Sequence, residues 1–424
     1  MRLAIIGAGV GGCSAAYFAN RLMPSCEITV YERSDRIGGR VYSIDLDGQR
    51  VEIGAAFFKG SHQLLIGLLK ELDIKAKPIP IPSSIGVWNG ERFITRIDNP
   101  FSAIRLFLRN PLNITRLLSI LRELGRRNRV IYREIKDHPR EWAELFAAAG
   151  ITEWLKKPLR GVLLEKGVDS SFIDNMLEPM IRVIYNQDSS INAYAGLSTI
   201  NLLYGKTYNI DSGNEVLPKR LLEASRATIK LGVEVESITK GEDGSYEVSG
   251  RGFSDKFDSV IIANHDSCIL EGGARLPLEC SLKKFQQVDV QFVRGELNNS
   301  YFTLDPGERP PDTIVSTRDV PFTHIIKLGS EGGRPVYSIA STIPIDDYLG
   351  DIFEKPEVIF RHSWGKAYPI LEPIQKMPRC RLDRLLFYPS CSESAVSAME
   401  SSVVSAFISV NLLRRELDTT SPRL

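Results

Sequence analysis

The chain has 424 residues, of which 43% are hydrophobic and 25% charged, the composition of an ordinary globular protein. A chain of this length can form two or three domains with well-buried cores. Its 53 basic and 52 acidic residues give a net charge of +1, so the overall charge does not indicate a nucleic acid or an acidic polymer as a partner.

The chain opens with a β-α-β pattern in which LAIIG and EITVYE are β-type runs and the stretch between them has helical spacing. Gly7, Gly9 and Gly12 form G-x-G-x-x-G, and Glu32 follows Gly12 by 20 residues. This spacing predicts dinucleotide binding: glycines allow a tight turn, close approach to a pyrophosphate and helix packing, and the acid accepts from ribose hydroxyls. The predicted cofactor contacts here are Gly7, Ala8, Gly9, Val10, Gly11, Gly12, Glu32 and Arg33.

Two glycines and two arginines follow in the segment R-I-G-G-R-V-Y-S, Arg36 to Ser43. Gly38 and Gly39 would let the loop lie against a cofactor without a Cβ clash, and Arg40 would place a fixed positive fork near the phosphates. The segment resembles the second fingerprint, R-x-G-G-R-x-x-S/T, of FAD-dependent amine-oxidase-like flavoproteins. The resemblance implies FAD as the cofactor in place of NAD; the alternative is a solvated basic turn.

Four later segments resemble other cofactor-contacting parts of the same superfamily. VEIGAAFF resembles the turn beside the isoalloxazine ring, Val235 matches a strand residue that contacts adenine, and Asn264 follows a buried strand. In the C-terminal run SAMESS, free N–H groups at the start of a helix would point at the flavin, although the superfamily usually has G-A-x-x-S-G there. The contacts implied are Gly54, Ala55, Ala56, Phe57, Val235, Asn264, Ser397 and Met399.

Between these segments the pattern predicts a second domain. Residues 83–207 are mostly helical in spacing, after a hairpin whose Asn89-Gly90 suits a type I′ turn. Residues 280–378 form several short β-type runs between Gly/Pro-rich turns. We therefore expect an α/β protein in which a discontinuous Rossmann-type FAD-binding domain (residues 1–82, 208–279 and 379–424) carries an α+β substrate domain of helical cap (83–207) and antiparallel sheet (280–378).

An arginine-rich stretch runs from Ile104 to Lys136, with eight arginines against two glutamates, interleaved with Leu and Ile. It is compatible with a basic amphipathic surface that docks on anionic lipid. It is equally compatible with the solvated face of cap helices, which is the reading we favour.

One cap segment, MLEPMIRVIYNQDSSINAYAGLSTI, resembles the R-V-x-Y-x-Q and I-N-A stretch of the prenylcysteine oxidase (prenylcysteine lyase) family, as does the S-A-M-E run. The resemblance implies Arg182, Tyr185, Gln187 and Asn192 on the substrate side; an alternative role for Arg182 and Tyr185 is to tie the cap to the FAD domain. The chain departs from the family at Lys59, where a histidine is expected, and Lys59 is the candidate catalytic residue because desolvation would favour its neutral form.

The resemblance implies a chemistry of thioether oxidation. Hydride leaves the carbon next to sulfur in a prenylcysteine, water adds, and the products are a prenyl aldehyde and free cysteine, with O₂ reduced to H₂O₂. Five histidines without metal-ligand spacing and the lack of a G-x-S-x-G motif disfavour a metalloenzyme or a hydrolase. Other flavoenzymes (amine oxidase, isoprenoid desaturase, protoporphyrinogen-type oxidase) and an FAD-binding protein without catalysis stay open as alternatives.

The six cysteines show no C-x-x-C pair and no framework of even spacings, which fits a reducing compartment and disfavours zinc. The glycines of the N-terminal run are not those of a signal peptide, and no run approaches the ~20 apolar residues that span a bilayer. We therefore expect a cytoplasmic protein with a small, lipophilic substrate and no nucleic-acid partner.

Overall fold

A computed structural model gives the structure of the protein and describes residues 1–137, 140–264, 269–271, 284–317, 320–331 and 333–420. The strands are β1 (Arg2–Ile6), β2 (Glu27–Glu32), β3 (Ser43–Leu46), β4 (Gln49–Glu52), β5 (Phe58–Lys59), β6 (Ala76–Pro78), β7 (Ile85–Trp88), β8 (Phe93–Ile97), β9 (Thr207–Ile210), β10 (Thr228–Leu231), β11 (Ser237–Lys240), β12 (Tyr246–Gly250), β13 (Phe253–Phe257), β14 (Ser259–Ile262), β15 (Ile269–Glu271), β16 (Phe285–Leu297), β17 (Thr313–Ser316), β18 (His324–Glu331), β19 (Arg334–Ser341), β20 (Phe353–Pro369), β21 (Arg381–Asp383) and β22 (Leu386–Phe387).

The α-helices are α1 (Val10–Leu22), α2 (Gln63–Glu71), α3 (Pro100–Arg109), α4 (Pro111–Asp137), α5 (Trp142–Ala148), α6 (Thr152–Lys156), α7 (Leu159–Glu165), α8 (Ser170–Phe172), α9 (Glu178–Tyr185), α10 (Ala193–Leu203), α11 (Val216–Ser225), α12 (Leu349–Ile352) and α13 (Met399–Thr420). A π-helical turn, Ile173–Leu177, joins α8 to α9, and 3₁₀ turns cover Asp346–Tyr348 and Pro389–Ser394. Within the described part of the chain, no helix combines the length and the apolar character needed to cross a bilayer.

The central sheet has the strand order β10-β2-β1-β14-β22-β21, parallel except for the edge strand β21. Residues Leu3 to Ile6 of β1 are all buried, as expected for a strand covered on both faces. Helix α1 packs against α11 and α13, with the rings of Phe18 and Phe407 5.2 Å apart. Strands from three distant stretches of chain form this sheet, and the predicted discontinuous Rossmann-type fold is confirmed.

A second sheet has the order β20-β16-β19-β18-β17-β7-β8, and only its β17–β7 pair is parallel. One face packs on a core that includes the fully buried side chains of Trp88, Phe302 and Phe322. Helices α3 to α10 form the cap, which follows the β7–β8 hairpin in the chain. The expected α+β domain of antiparallel sheet and helical cap is therefore present, while the residue boundaries given for the five segments stay predictions.

The β7–β8 hairpin corrects one turn prediction. Its connection covers the four residues Asn89 to Arg92, and Gly90 has a φ of +97° whereas Asn89 does not have a positive φ. A type I′ turn needs positive φ at both central residues, so that prediction is wrong. The Asn89 side chain instead accepts from the N–H groups of Glu91 at 3.0 Å and Arg92 at 2.8 Å, which stabilises the longer loop.

The strand predicted to contain Val235 is also corrected. The chain forms β10 in the central sheet and then β11 in a separate four-stranded sheet of order β13-β12-β11-β15. Gly232, with a φ of +69°, ends the first strand, and Val235 lies in the connection between the two. The N–H of Val233 donates to the carbonyl oxygen of Glu32 at 2.9 Å, so this connection stays beside the end of β2.

Candidate functional site

A cavity of about 2410 Å³ runs from the glycine-rich loops to the second sheet. A pocket for one small ligand usually measures ~300–1,000 Å³, so this cavity has room for a cofactor and a substrate together. Most predicted cofactor contacts line it: Gly7, Gly9, Val10, Gly11, Glu32, Arg33, Gly38, Gly39, Arg40, Gly54, Ala55, Ala56, Phe57, Val235, Asn264, Ser397 and Met399. Ala8 and Gly12 do not belong to the cavity wall that the described residues form.

The three fingerprint glycines have different structural roles. A Cβ on Gly12 would lie 1.9 Å from the carbonyl oxygen of Gly7, so Gly12 is required by helix packing. A Cβ on Gly9 would meet no protein atom closer than 3.9 Å, and its φ of −77° suits any residue. The missing side chain at Gly9 therefore leaves open a cradle at the start of α1. An open cradle at a helix N-terminus fits the pyrophosphate of a dinucleotide cofactor.

Glu32 lines the cavity and also holds the loop around it. Its Oε2 accepts from the N–H of Ala8 at 2.8 Å, and its Oε1 accepts from the N–H and the hydroxyl of Ser34 at 2.9 and 2.8 Å. These bonds orient the carboxylate at the cavity edge, where its remaining lone pairs can accept from a ribose. Ala8 itself supports the second fingerprint loop, because its carbonyl oxygen accepts from the N–H of Gly38 at 2.9 Å.

Arg40 has the fixed guanidinium that the sequence predicts. It forms an ion pair with Glu393, whose side chain is only 4% exposed, and donates to the carbonyl oxygen of Ala367 at 3.2 Å. Sequence reasoning missed Glu393; a lone carboxylate in the run of small residues before the last helix was the available signal. The pair connects the second fingerprint loop to the C-terminal segment, so the cofactor site is closed by residues about 350 positions apart in the chain.

The small-residue turn after β4 is held in place by Asn214, which is fully buried. The Asn214 amide donates to the carbonyl oxygens of Ala55 and Ala56, each at 2.9 Å. Glu52 accepts from the backbone N–H of Asn214 at 2.8 Å, and burial raises the pKa of Glu52 to about 7. Sequence reasoning did not single out Asn214; its place in a Gly-Asn pair between a strand and a helix was the only local signal.

Lys59 lines the cavity, but its ammonium is engaged by the cap. The Nζ donates to the carbonyl oxygens of Asn201 and of Tyr204, the latter at 2.8 Å, at the C-terminal end of α10. A cation in this place stabilises the last carbonyls of a helix. Burial lowers the pKa of Lys59. The pKa of the neighbouring His62 is lowered to about 4 by its own burial and by the positive charge of Lys59. A catalytic role for Lys59 stays a prediction.

Helix α13 begins at Met399, as the sequence predicts, and its first turn lines the cavity. The hydroxyl of Tyr185 donates to the carbonyl oxygen of Ser397 at 2.8 Å and so positions the residues that lead into this turn. Glu400 is buried and accepts from the N–H groups of Leu64 and Leu65 at 3.0 and 2.8 Å. The run S-A-M-E thus supplies both the first turn of a helix at the cavity wall and a carboxylate that caps α2.

The four predicted substrate-side residues separate into two groups. Tyr185 lines the cavity, and its ring lies 5.4 Å from that of Tyr368, which also lines it. Gln187 and Asn192 are outside the described wall and bind the backbone of the segment after β20: the N–H of Leu371 donates to Gln187 at 2.8 Å, and the Asn192 amide donates to the carbonyl oxygen of Leu371 at 3.3 Å. Arg182 is also outside the described wall. Gln187 and Asn192 therefore hold the segment that follows the wall residue Tyr368.

The far part of the cavity is mainly apolar, although Asp312 and Lys327, which form an ion pair at 3.8 Å, also line it. The second sheet contributes Val288, Val290, Val315, Ile326 and Leu328, and the cap contributes Met176, Pro179, Met180 and Val183. His324 lies in the same sheet face, and burial lowers its pKa to about 4, so its imidazole is neutral at pH 7. Among the described residues, no group of three His, Cys, Asp or Glu side chains could hold a metal ion.

Comparison with protein families gives two matches. The model described as prenylcysteine lyase matches residues 97–420, and the model described as NAD(P)-binding Rossmann-like domain matches residues 5–72. The chain is 26% identical to prenylcysteine oxidase 1 of Homo sapiens over 442 residues, covering 96% of this chain and 87% of that protein. It is 25% identical to farnesylcysteine lyase of Arabidopsis thaliana over 429 residues, covering 94% and 85%.

Solved structures are similar over nearly the full length. Cyclohexylamine oxidase from Brevibacterium oxydans IH-35A superimposes with a TM-score of 0.66 at 16% identity, covering 98% of this chain and 99% of that one. Wild-type putrescine oxidase bound to putrescine gives a TM-score of 0.63 at 15% identity, covering 99% of each chain. At these identities the likeness shows a shared fold alone.

Proposed function

The chain belongs to the prenylcysteine lyase family, and from that premise we propose that its substrate is a prenyl thioether such as S-farnesyl- or S-geranylgeranyl-cysteine. The chain is an FAD-dependent oxidoreductase. The reaction proposed consumes the thioether, water and O₂ and yields a prenyl aldehyde, a free thiol and H₂O₂. The single observation that carries the proposal is a continuous cavity between the cofactor loops and an apolar wall.

The apolar wall is suited to an isoprenoid chain. Burial of one CH₂ contributes about 0.8 kcal/mol, so a farnesyl group held against Val290, Val315 and Ile326 supplies much of the binding free energy. The neutral imidazole of His324 places no charge against the chain.

FAD supplies the hydride acceptor when it is bound. The chain's own residues bind and orient: the cradle at Gly9 and the carboxylate of Glu32 fit the pyrophosphate and the ribose, and the first turn of α13 presents N–H groups. Tyr185 fixes the carbonyl of Ser397 and leaves its ring against Tyr368 in the wall. A thioether next to an allylic carbon stabilises its own cation, so no strong general base is required at this site.

The test is anaerobic mixing of the purified yellow protein with S-farnesyl-cysteine. We expect the flavin absorbance to bleach and, on admission of air, to return with one H₂O₂, one aldehyde and one cysteine per turnover. Putrescine and cyclohexylamine serve as controls, since proteins of the same fold act on compounds of those names. Bleaching by the amines and not by prenylcysteines of any length would reject the thioether proposal and leave an FAD oxidoreductase of another specificity.

We further propose O₂ as the electron acceptor, a cytoplasmic location and peripheral contact with a membrane. The location is supported by the thiols of Cys13, Cys26 and Cys380, which form no disulfide in the part of the chain that the structure describes. Membrane contact is supported by the arginine-rich stretch and by the lipophilic character of the proposed substrate. Cell fractionation tests both, and recovery of the protein from a secreted or luminal fraction would contradict the location.

A further inference from the structure

Helix α3 has an unusual relation to the rest of the molecule. None of its residues is buried, although it is regular and begins with a capping box between Asn99 and Ser102. Its apolar side chains are instead exposed: Phe101 is 81% exposed, Leu108 70% and Ile104 55%. Leu112, at the start of α4, is 65% exposed. A soluble helix normally turns such a stripe towards the core.

The spacing shows that these side chains form one face. Phe101, Ile104 and Leu108 are related by three and seven positions, so they lie on the same side of the helix. Ser102 and Leu106 are half-buried on the side towards the protein. The apolar face of α3 therefore points outwards.

Two arginines border this face. Arg105 and Arg109 are exposed, and no carboxylate of the described residues lies within 4.0 Å of either guanidinium. The arginines further along the stretch are different: Arg116 donates to the carbonyl oxygen of Gly167, and Arg127 binds Glu123 and the carbonyl oxygen of Gly150. The guanidinium groups of Arg105 and Arg109 thus lie beside the apolar face without a carboxylate partner, whereas Arg116 and Arg127 of α4 bind groups within the fold.

The face lies next to one end of the cavity. Ile85 in β7 is paired with Ile97 in β8, so the segment before β7 and helix α3 after β8 leave the hairpin at the same end. Residues 79–83 line the cavity, as do Ile85 and Ile97. Ile81 in this segment is 83% exposed, which places another apolar side chain at the edge of the cavity.

We propose that the outward face of α3, with Ile81, docks on an anionic membrane surface and that the lipophilic substrate enters the cavity from the lipid at this point. An exposed apolar stripe bordered by uncompensated arginines is the arrangement by which a helix lies in a membrane interface. A second protein copy would bring Arg105 and Arg109 of both chains together, whereas a surface of anionic headgroups complements them. The identity of the substrate that enters here rests on the proposed function, whereas the docking of α3 on a membrane does not.

The experiment measures sedimentation of the FAD-loaded protein with vesicles of phosphatidylcholine, alone or mixed with phosphatidylserine. We expect binding that is stronger on the anionic vesicles. Phe101→Ser/Leu108→Ser should abolish binding to both kinds of vesicle. Arg105→Gln/Arg109→Gln should weaken binding to the anionic vesicles by about 30-fold, at roughly one kcal/mol per basic residue, and leave the weak binding to phosphatidylcholine unchanged.

The matched control is Ile343→Ser/Tyr348→Ser, which removes an exposed aliphatic and an exposed aromatic side chain from another part of the surface. It should bind vesicles as the unchanged protein does, and all variants should keep their flavin absorbance. No sedimentation of the unchanged protein, equal loss in the control, or a dimer in solution that dissociates in the α3 variant would each overturn the proposal. Vesicle binding is read without substrate, so it fails or succeeds independently of flavin bleaching by prenylcysteine.

Discussion

Single residues in the cofactor site have roles that their shared motif does not reveal. Gly9 and Gly12 belong to one fingerprint, yet an added Cβ meets no protein atom closer than 3.9 Å at Gly9 and a carbonyl oxygen at 1.9 Å at Gly12. The motif predicts that glycines are present; only the surrounding atoms show which of them the fold requires and which the ligand requires.

This difference gives a paired prediction. Gly9→Ala should fold with nearly unchanged stability and lose most of its FAD, because the new methyl group occupies the cradle for the pyrophosphate. Gly12→Ala should be destabilised by about 3 kcal/mol or more, because α1 must move away from β1. Thermal unfolding and flavin content after gel filtration report the two effects. Full FAD occupancy in Gly9→Ala would contradict the assigned cradle.

Lys59 can stabilise the end of α10 or act near the flavin, and these two roles predict different results for the same substitution. Lys59→Met keeps the length of the side chain but removes the ammonium that binds the carbonyls at the end of α10. We expect a loss of about 1–2 kcal/mol in stability, and slower flavin reduction if the ammonium acts near the flavin. Unchanged reduction rate and flavin spectrum beside the lower stability would assign Lys59 to the helix end alone.

The pKa of His324 predicts a pH effect on stability. The group has a pKa of about 4 in the folded protein and 6.5 in the unfolded chain, so between these values only the unfolded chain binds the proton. Stability should therefore fall as pH decreases from 6.5 to 4, by up to about 1.4 kcal/mol per pH unit. Urea unfolding of His324→Gln, measured in parallel over this range, should lack this contribution. If the free energy of unfolding changed with pH in the same way for both proteins, His324 would not be buried in its neutral form.

At the scale of elements, the cofactor site depends on contacts between helices that are far apart in the chain. Glu400, at the start of α13, caps α2 through Leu64 and Leu65 and accepts from the hydroxyl of Tyr132 in α4 at 2.8 Å. Burial raises the pKa of Glu400. The carboxylate thus links three helices beside the cavity.

A double-mutant cycle tests this link. Tyr132→Phe should cost about 1 kcal/mol, and Glu400→Ala about 2–3 kcal/mol because two N–H groups of α2 lose their acceptor. The double variant should cost less than the sum, since both changes remove the same hydrogen bond. Glu400→Gln, which keeps one acceptor oxygen, should be less destabilised than Glu400→Ala in urea unfolding followed by flavin fluorescence. Strict additivity would show that Tyr132 and Glu400 do not interact.

The elements that could be predicted are those with a local signal. The β-α-β opening, the hairpin before the cap and the start of the last helix follow from periodicity and glycine spacing, and the structure has each of them. The division at Gly232 was missed because β-type residues continue on both sides of it. Glu393 and Asn214 were missed because their partners, Arg40 and the Ala55–Ala56 turn, are more than 150 residues away in the chain.

At the scale of the whole molecule, the cavity predicts a preference for long prenyl chains. Each isoprene unit buries several carbons against the wall, so kcat/KM should fall by more than tenfold per unit from geranylgeranyl to farnesyl to geranyl cysteine. Ala340 faces the cavity beside His324 and Val290 in the sheet register. Ala340→Leu should lower kcat/KM most for the substrate with the longest prenyl group and leave the flavin content unchanged. A rate independent of chain length would show that the prenyl group lies outside this cavity.

The central sheet also has a consequence for biosynthesis. Strand β1 pairs with β14 through Leu3 and Ser259. Strand β14 pairs with β22 through Val260 and Leu386. At roughly 5–20 residues per second, a ribosome delivers the last of these strands about 20–80 s after the first. For about the first two-thirds of that interval the apolar strand β1 lacks its neighbour β14, and throughout it Arg40 lacks Glu393, so a nascent chain has a half-built flavin site. We therefore expect FAD to bind only after the C-terminal segment with Glu393 has been synthesised.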